Sequence, residues 1–388
     1  MNSVYKKRFW RSLIILGSLV TLLGILLLLR LSPDICEWWS RTVSRGFYYV
    51  FAPITKYIPF SLTEIFIIVA ILGVGTWLFL VIRHLHRLSF RGSSHLWLKA
   101  GIIITAFLLT YVGTAGMEYN RYPVDIPQYE GEPIEDGQVL YDMIKYYHDE
   151  YNACANVLGF NEETGEVNRP YTIEQLNRII SDEYAKLESD YFAKFTTNSK
   201  PMYLFNWLYR EFQITGYSFA PLGEASVNNL CTNSELPFTI AHEIAHSKGV
   251  MKEDEANLVA AYICLNSSDA YLKYSGLCRT YYSVFPFAKA SNIEGAVLEI
   301  TKTLDPRISE DRHYTYSYWE EHDFLSKASN FFNNLYLEIF GNENTDYYID
   351  HTQTIVIDND DGTKTYRISL YSPYQKMCIA LYQKMQSK

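Results

Sequence analysis

The sequence predicts a mainly helical membrane protein in which three transmembrane helices precede an α+β domain. Three long, uncharged, apolar runs lie within the first 117 of the 388 residues. The two parts also differ in charge: residues 1–117 contain 12 Lys and Arg against 3 Asp and Glu, whereas the rest contain 22 against 40. The second part shows the 3.6-residue period of amphipathic helices and, near its end, the alternation of β-strands.

The three predicted spans extend over about residues 12–30, 63–82 and 98–117. Each is close to the 20 residues that a helix rising 1.5 Å per residue needs to cross a hydrocarbon core of about 30 Å. Buried core helices are the alternative, but three uncharged runs of this length so close together are unusual in a soluble protein. Residues 1–117 are therefore expected to form a membrane anchor.

The positions of the basic residues predict the orientation of the anchor. Four precede the first span and four lie around the loop between the second and third spans, namely Lys6, Lys7, Arg8, Arg11, Arg83, Arg87, Arg91 and Lys99. Such clusters are typical of cytoplasmic ends. No pattern of small residues for signal cleavage follows the first run. We therefore expect a multi-pass protein of the cell membrane, with residues 118–388 extracytoplasmic.

Residues 118–388 read as one mainly helical domain. Residues 172–175 form a capping box that predicts the start of a helix. The alternating segments 353–357 and 365–370 predict a β-hairpin, and the acidic turn at 358–361 resembles a calcium loop only loosely.

The charge and cysteines of this domain limit its partners and cross-links. Its net charge of −18 would repel phosphate, so a nucleic-acid partner is not expected. Cys264 and Cys278 could form a disulfide or remain free thiols.

The segment His242-Glu243-Ile244-Ala245-His246 is an HExxH motif. Residues four apart share one face of a helix, so His242 and His246 can bind the same Zn²⁺ ion. Glu243 then lies where it can act as the general base of a metallopeptidase. Gly249 is expected to end the helix.

A catalytic zinc needs a third protein ligand. The metzincin pattern would place a histidine at position 252, where this chain has Lys252. The remaining candidates are Glu253, Asp254 and Glu255, at the start of a second predicted helix. We assign Glu255, because it lies next to the predicted buried face of that helix, and expect the other two on the exposed first turn.

Five further residues could contact the substrate or transition state, although a structural role is the alternative for each. They are Tyr217, Asn228, Asn257, His313 and Tyr314. The hydroxyl and imidazole groups among them could donate to an oxyanion, and Asn257 could orient a metal ligand. The segment 220–228 could form the edge strand beside which an extended peptide binds.

Four stretches, 215–217, 223–228, 236–246 and 253–257, together resemble an uncharacterised bacterial family of multi-span membrane proteins with an HExxH domain, DUF3810-like. The stretch Glu255-Ala256-Asn257 is also similar to the gluzincin-like peptidase domain of bacterial repressor-cleaving proteins, in which the glutamate is a zinc ligand. The resemblance implies a zincin-like, mainly α, α+β extracytoplasmic domain on an α-helical anchor. It implies no particular substrate.

Two functions are compatible with these features. The first is a membrane-anchored, zinc-dependent gluzincin-like metallopeptidase that acts outside the membrane on a peptide or protein, for example a component of the cell envelope. The second is a zinc-containing sensor or binding protein without turnover. The intact Glu243 favours the peptidase, because a purely structural zinc site does not need a general base. Membrane lipid is the other expected partner.

Overall fold

The computed structural model describes residues 3–87, 90–195, 197–340, 353–358 and 364–387. Most of these residues are helical, and the β-structure is limited to a three-stranded sheet and a hairpin. This agrees with the predicted helical protein with a minor β component.

Three helices are long and apolar enough to cross a membrane. Helix α1 spans Ser3–Leu29, and the candidate spans within the anchor are Val4–Leu29, Leu62–His86 and Ser93–Asn120. Their apolar side chains point outwards, as the exposures of Ile14, 65%, and Ile103, 69%, illustrate. Lipid is the environment in which such surfaces cost little free energy. The three predicted spans therefore correspond to three candidate membrane helices.

The connection between the first two spans forms short helices that pack against the following domain. Tyr48 and Ala52, in the second of these helices, are buried in one apolar cluster with Phe195 and Ala220 of the domain. The helices of this connection are α2 (Pro33–Trp39) and α3 (Arg45–Lys56). The second candidate span is α4 (Leu62–His86), and the third includes most of α5 (Phe90–Tyr111).

The domain surrounds a small mixed sheet with helices. Its strands are β1 (Ser199–Met202), β2 (Gly216–Phe219) and β3 (Glu224–Asn228). Strand β3 lies in the centre, parallel to β1 and antiparallel to β2. The prediction that residues 220–228 contain the edge strand is thus wrong, because β2 pairs with the outer side of β3 and is itself the edge.

The helices before and between these strands are α6 (Gly137–Val157), α7 (Ile173–Ala185) and α8 (Asn206–Glu211). Those after the sheet are α9 (Leu236–Ser247), α10 (Glu253–Asn266), α11 (Ala270–Thr280), α12 (Pro286–Ala290), α13 (Glu294–Thr301), α14 (Pro306–Glu321) and α15 (Ser326–Phe340). Helices α9 and α10 are buried at the centre of the domain. The predicted capping box is present at the start of α7, where Thr172 and Gln175 cap each other.

The C-terminal part confirms the predicted hairpin. Strands β4 (Gln353–Asp358) and β5 (Lys364–Leu370) pair antiparallel, and helix α16 (Pro373–Gln386) follows. The acidic turn at 359–361 lies outside the described residues. All six cysteines lie within the described ranges and are free, so Cys264 and Cys278 form no disulfide.

A buried carboxylate joins the domain sheet to the second candidate span. Glu224, the first residue of β3, accepts hydrogen bonds from Ser61 Oγ at 2.7 Å and from the backbone N–H groups of Leu62 and Thr63 at 3.0 Å. The first N–H groups of a helix have no partner within it and carry partial positive charge. Lys200 Nζ on β1 adds an ion pair at 2.8 Å. Glu224 thus fixes the N-terminus of α4 to the sheet.

Two further polar contacts hold the anchor to the domain. Glu64, in the first turn of α4, accepts from the backbone N–H groups of residues 203–205 at 2.8–3.0 Å. Arg121, directly after the third candidate span, pairs with Glu37 and donates to the carbonyl oxygen of Gly249 at 2.8 Å. Contacts of this kind at the start of the second candidate span and directly after the third hold the domain in one position relative to these helices.

The Glu224 contact predicts the effect of a charge-removing substitution. Glu224→Gln leaves Lys200 without its carboxylate in a site where the two side chains are 0% and 4% exposed. Removing one partner of a buried ion pair costs about 3–5 kcal/mol, so we expect a clearly lower unfolding temperature for the purified full-length protein in detergent. Glu174→Gln is the control, because Glu174 pairs with Arg178 on the surface and should matter by less than about 1 kcal/mol. Equal shifts for both variants would contradict this role of Glu224.

Candidate functional site

Helix α9 carries the HExxH motif and ends in a Schellman turn. The N–H of Gly249 bonds to the carbonyl of His246, and the N–H of Val250 bonds to that of Ala245. Gly249 has a φ of +95°, a conformation that side chains disfavour. The predicted end of the helix at Gly249 is therefore confirmed. The turn also brings the carbonyl of Val250 beneath the second histidine.

The two histidines lie side by side, with ring centroids 4.6 Å apart. Nδ1 of His246 is 2.7 Å from the carbonyl oxygen of Val250. Because a carbonyl can only accept, Nδ1 carries a proton, and Nε2 is the ring nitrogen that faces the site. This is the usual way in which a second contact orients a metal-binding histidine.

Glu253 is the carboxylate that lies beside both histidines. Its Oε2 is 3.1 Å from Nε2 of His242, and its Oε1 is 3.5 Å from Nε2 of His246. Glu255 instead accepts a hydrogen bond from Lys252 Nζ at 3.1 Å. The sequence-based choice of Glu255 as third ligand is corrected accordingly: the residue brought to the two histidines is Glu253.

The geometry of α10 explains this correction. Each residue turns the helix by 100°, so Glu253 and Glu255 project about 200° apart and only one of them can face the histidines. The sequence-based choice of Glu255 assumed that only one face of α10 is buried. However, the helix is buried on nearly all sides from Ala256 to Leu265, Asn257 being the exception. Burial therefore did not select a face. Asn257, four residues after Glu253, marks the face that points towards the site.

Charge and burial act against each other at these three side chains. Burial lowers the pKa of His242. Burial also favours neutral His246, but the Glu253 carboxylate outweighs it and raises the pKa of His246 to about 9. Desolvation favours the protonated form of Glu253, yet His246 and the hydrogen bonds from both histidines hold its pKa well below its usual range. Glu253 therefore remains a charged carboxylate beside the two imidazoles.

Glu243 lies beneath the edge strand of the sheet. A Cβ atom on Gly216 of β2 would be 2.5 Å from Oε1 of Glu243, so only glycine allows this approach. Oε2 of Glu243 is buried and has no hydrogen-bond partner among the described residues, and the same holds for Nδ1 of His242. Burial raises the pKa of Glu243 to about 8. This carboxyl group is therefore held in place with one oxygen available to a ligand.

A large cavity of about 1260 Å³ opens over these groups. Its lining includes His242, Glu243, His246, Glu253 and all four residues of β2. Such concave sites with a few convergent polar groups are typical of ligand binding.

Arg279 on α11 is the only Lys or Arg among the described residues that line the cavity. Its guanidinium lies over the ring of Phe238, 5.3 Å from the centroid. Arg279 was not predicted from the sequence, because it lies 33 residues beyond the motif and no local pattern marks it.

Two of the five predicted contact residues line the cavity and three do not. Tyr217 and Asn257 belong to its lining. The hydroxyl of Tyr217 is hydrogen bonded to Ser61 Oγ at 2.9 Å, so it also contacts the anchor. Asn228 is fully buried and donates to the backbone carbonyls of residues 206 and 214, which is a structural role. His313 and Tyr314 lie on α14 away from the lining, and α14 contributes Trp319 instead.

The donor set fits a zinc ion. The potential ligand atoms of His242, His246 and Glu253 all lie within 4.8 Å of one another. In a tetrahedral site with bonds of 2.0–2.1 Å, neighbouring ligand atoms are about 3.4 Å apart, close to the two distances given above. Two imidazoles and one carboxylate would occupy three positions of such a site and leave the fourth to a non-protein ligand. The unpaired Oε2 of Glu243 is buried in the same cavity.

Zinc analysis of variants tests which glutamate is the ligand. We expect about one zinc per chain for the wild-type protein and for Glu255→Ala. Glu253→Ala should bind zinc at least about 10-fold more weakly, since loss of even an indirect contact costs roughly 10–100-fold. Metal content and competition with a chelator measure the difference on purified full-length protein. Equal affinity of the two variants, or loss only in Glu255→Ala, would contradict the assignment of Glu253.

Comparison with known proteins identifies a family but no function. The chain matches no curated protein and no solved structure. Residues 39–347 match the model of the DUF3810 family, described as a protein of unknown function. This match extends from the end of α2 through the sheet, the HExxH helix and α10 into the C-terminal region. Because it covers well over half of the sequence, the chain belongs to the DUF3810 family.

Proposed function

We propose that the protein is a membrane-bound zinc metallopeptidase of gluzincin-like, zincin-type architecture that hydrolyses peptide bonds. The observation that carries the proposal is the convergence of His242, His246 and Glu253 at one point of the cavity, with the Glu243 carboxyl group buried beside them. A zinc ion held there would polarise the attacking water and the carbonyl of the scissile bond.

The residues of the chain supply the remaining parts of the mechanism. Glu243 accepts a proton from the attacking water on its unpaired Oε2 and returns it to the leaving nitrogen. Strand β2 is an edge strand that lines the cavity, so an extended peptide can bind along it through backbone hydrogen bonds. The Arg279 guanidinium is the positive group available to stabilise the developing oxyanion.

The orientation of the anchor supports an extracytoplasmic site. The domain contacts the start of α4 through Glu64 and Glu224, and the end of the third candidate span through the hydrogen bond from Arg121 to the Gly249 carbonyl. The basic residues 6–11 and 83–99 lie at the opposite ends of these helices. If those ends are cytoplasmic, as the distribution of positive charge favours, the domain is outside.

Glu243→Gln separates catalysis from metal binding. We expect peptide hydrolysis by the purified, zinc-loaded protein to fall by about 10²–10⁴-fold, the usual contribution of a general base. Zinc content should stay at the wild-type level, since Glu243 is not one of the three ligands. Comparative peptide profiling of membranes containing either protein measures the effect without a known substrate. Indistinguishable profiles would instead favour a non-catalytic zinc-binding protein.

Gly216→Ala tests the position of Glu243. The added methyl group would overlap Glu243, because the Oε1, Cγ and Cδ atoms of that side chain lie 2.5–2.9 Å from where the methyl carbon would be, and it would displace the carboxyl group. We expect strongly reduced hydrolysis with unchanged zinc content, because the three atoms nearest to the added carbon all belong to Glu243 and none to a proposed metal ligand. Gly295→Ala is the control, since its Cβ would meet no atom within 4 Å. Full activity of Gly216→Ala would show that Glu243 need not occupy this position.

A further inference from the structure

The cavity that contains the candidate site extends to the membrane anchor. Besides the metal-binding side chains, its lining includes Tyr111, Ala115 and Tyr119 from the end of the third candidate span. Aromatic and apolar side chains, among them Phe212, Phe219, Met251 and Phe332, form much of the remaining wall. One continuous space therefore joins the reacting groups to the level at which the spans leave the membrane.

Strand β2 connects the candidate site to the candidate spans. Its first residue, Gly216, packs against Glu243, and its last residue, Phe219, contacts aromatic side chains of two spans. The ring centroid of Phe219 is 5.3 Å from that of Phe66 in α4 and 6.2 Å from that of Phe107 in α5. Three residues of strand rise about 10 Å. Glu243 is thus separated from side chains of the candidate spans by little more than the length of this strand.

Phe66 lies near the start of the second candidate span, and the ring of Phe107 packs beside it with centroids 5.9 Å apart. Phe66 is four residues after the first residue of α4, about 6 Å along the helix axis. Phe107 lies near the middle of the third candidate span, Ser93–Asn120, so this helix continues towards the domain beyond the level of Phe66. Aromatic side chains near span ends are typical of the membrane interface. If the outer edge of the membrane lies at the start of α4, the reacting groups lie outside the lipid, within about the length of strand β2 of that edge.

This height is fixed by polar contacts. Glu224 binds the first N–H groups of α4 from the strand next to β2, and the Tyr217 hydroxyl of β2 itself bonds to Ser61. Glu64 binds the backbone of residues 203–205 from the span side. A domain tethered by a flexible linker could sample many heights above the bilayer, whereas this one is held at one level.

We propose that the substrate is a polypeptide that is itself held in the membrane, and that it is cut within about five residues of its own span. The inference rests on the proposed peptidase function. An extended chain advances about 3.3–3.6 Å per residue, so about three residues lead from the membrane edge to Glu243. The apolar wall between the two accepts the aromatic and aliphatic side chains that flank a span, and β2 offers its edge to the backbone.

Cleavage of a membrane-held library tests the position of the cut. The zinc-loaded full-length protein is reconstituted in vesicles of phosphatidylethanolamine and phosphatidylglycerol with a single-span reporter. The reporter carries 16 randomised residues between its span and a terminal tag, and mass spectrometry maps the products. We expect cuts clustered within about five residues of the span, none with Glu243→Gln, and at least about 10-fold slower hydrolysis of the same random sequences as free peptides, because tethering raises the local concentration.

The outcomes distinguish this inference from the function on which it rests. Cuts spread evenly over the 16 residues, or free peptides cut as fast as the reporter, would overturn the membrane-held substrate and leave a general peptidase. No hydrolysis of either library would contradict the proposed peptidase function and this inference with it.

Photo-crosslinking gives a second readout that needs no turnover. A benzoylphenylalanine replaces Phe219 in the Glu243→Gln chain, and the reporter is present in the same vesicles. We expect crosslinks to reporter residues next to its span. The matched control places the same group at Phe324, which is 83% exposed and does not line the cavity. Equal crosslinking from both positions, or crosslinks from Phe219 only to distant reporter residues, would contradict the proposal.

Discussion

The buried carboxylate of Glu224 is the contact on which the arrangement of the whole molecule depends. It neutralises Lys200 inside the sheet and satisfies backbone N–H groups at the start of α4. A single side chain thereby meets two electrostatic needs that would otherwise be costly, since it pairs a buried cation and binds two N–H groups in the first turn of a helix. Because β3 is the central strand, fixing it to the span also fixes β2 and the cavity.

The candidate site depends on a second constraint, the Schellman turn after α9. The turn reverses the chain at Gly249 and places the Val250 carbonyl where it orients His246. Arg121 binds the Gly249 carbonyl from the anchor side, so the turn is also supported by the membrane-proximal segment. The chain then enters α10, whose first residue is Glu253. The anchor, the turn and helix α10 thus meet within a few residues of one another.

Several features were predictable because local physical rules determine them. Uncharged runs of the right length predict spans, four-residue spacing places two histidines on one face, and alternation around a turn predicts the hairpin β4–β5. The choice between Glu253 and Glu255 was not predictable in this way. The rotation of α10 is set by packing on nearly all sides, and a helix without a polar face carries little periodic signal. Arg279 was missed for a related reason, since only packing of α11 against α9 brings it to the cavity.

The sequence by itself determined the three candidate spans, the helical character of the domain and the HExxH motif, because each depends on residues near one another in the chain. Only the tertiary structure decided that Glu253 is the carboxylate at the histidines, that β2 rather than β3 is the edge strand, and that one short strand links the site to the candidate spans. These facts depend on how separate elements pack, and in particular on a carboxylate at position 224 meeting a helix end some 160 residues earlier in the chain.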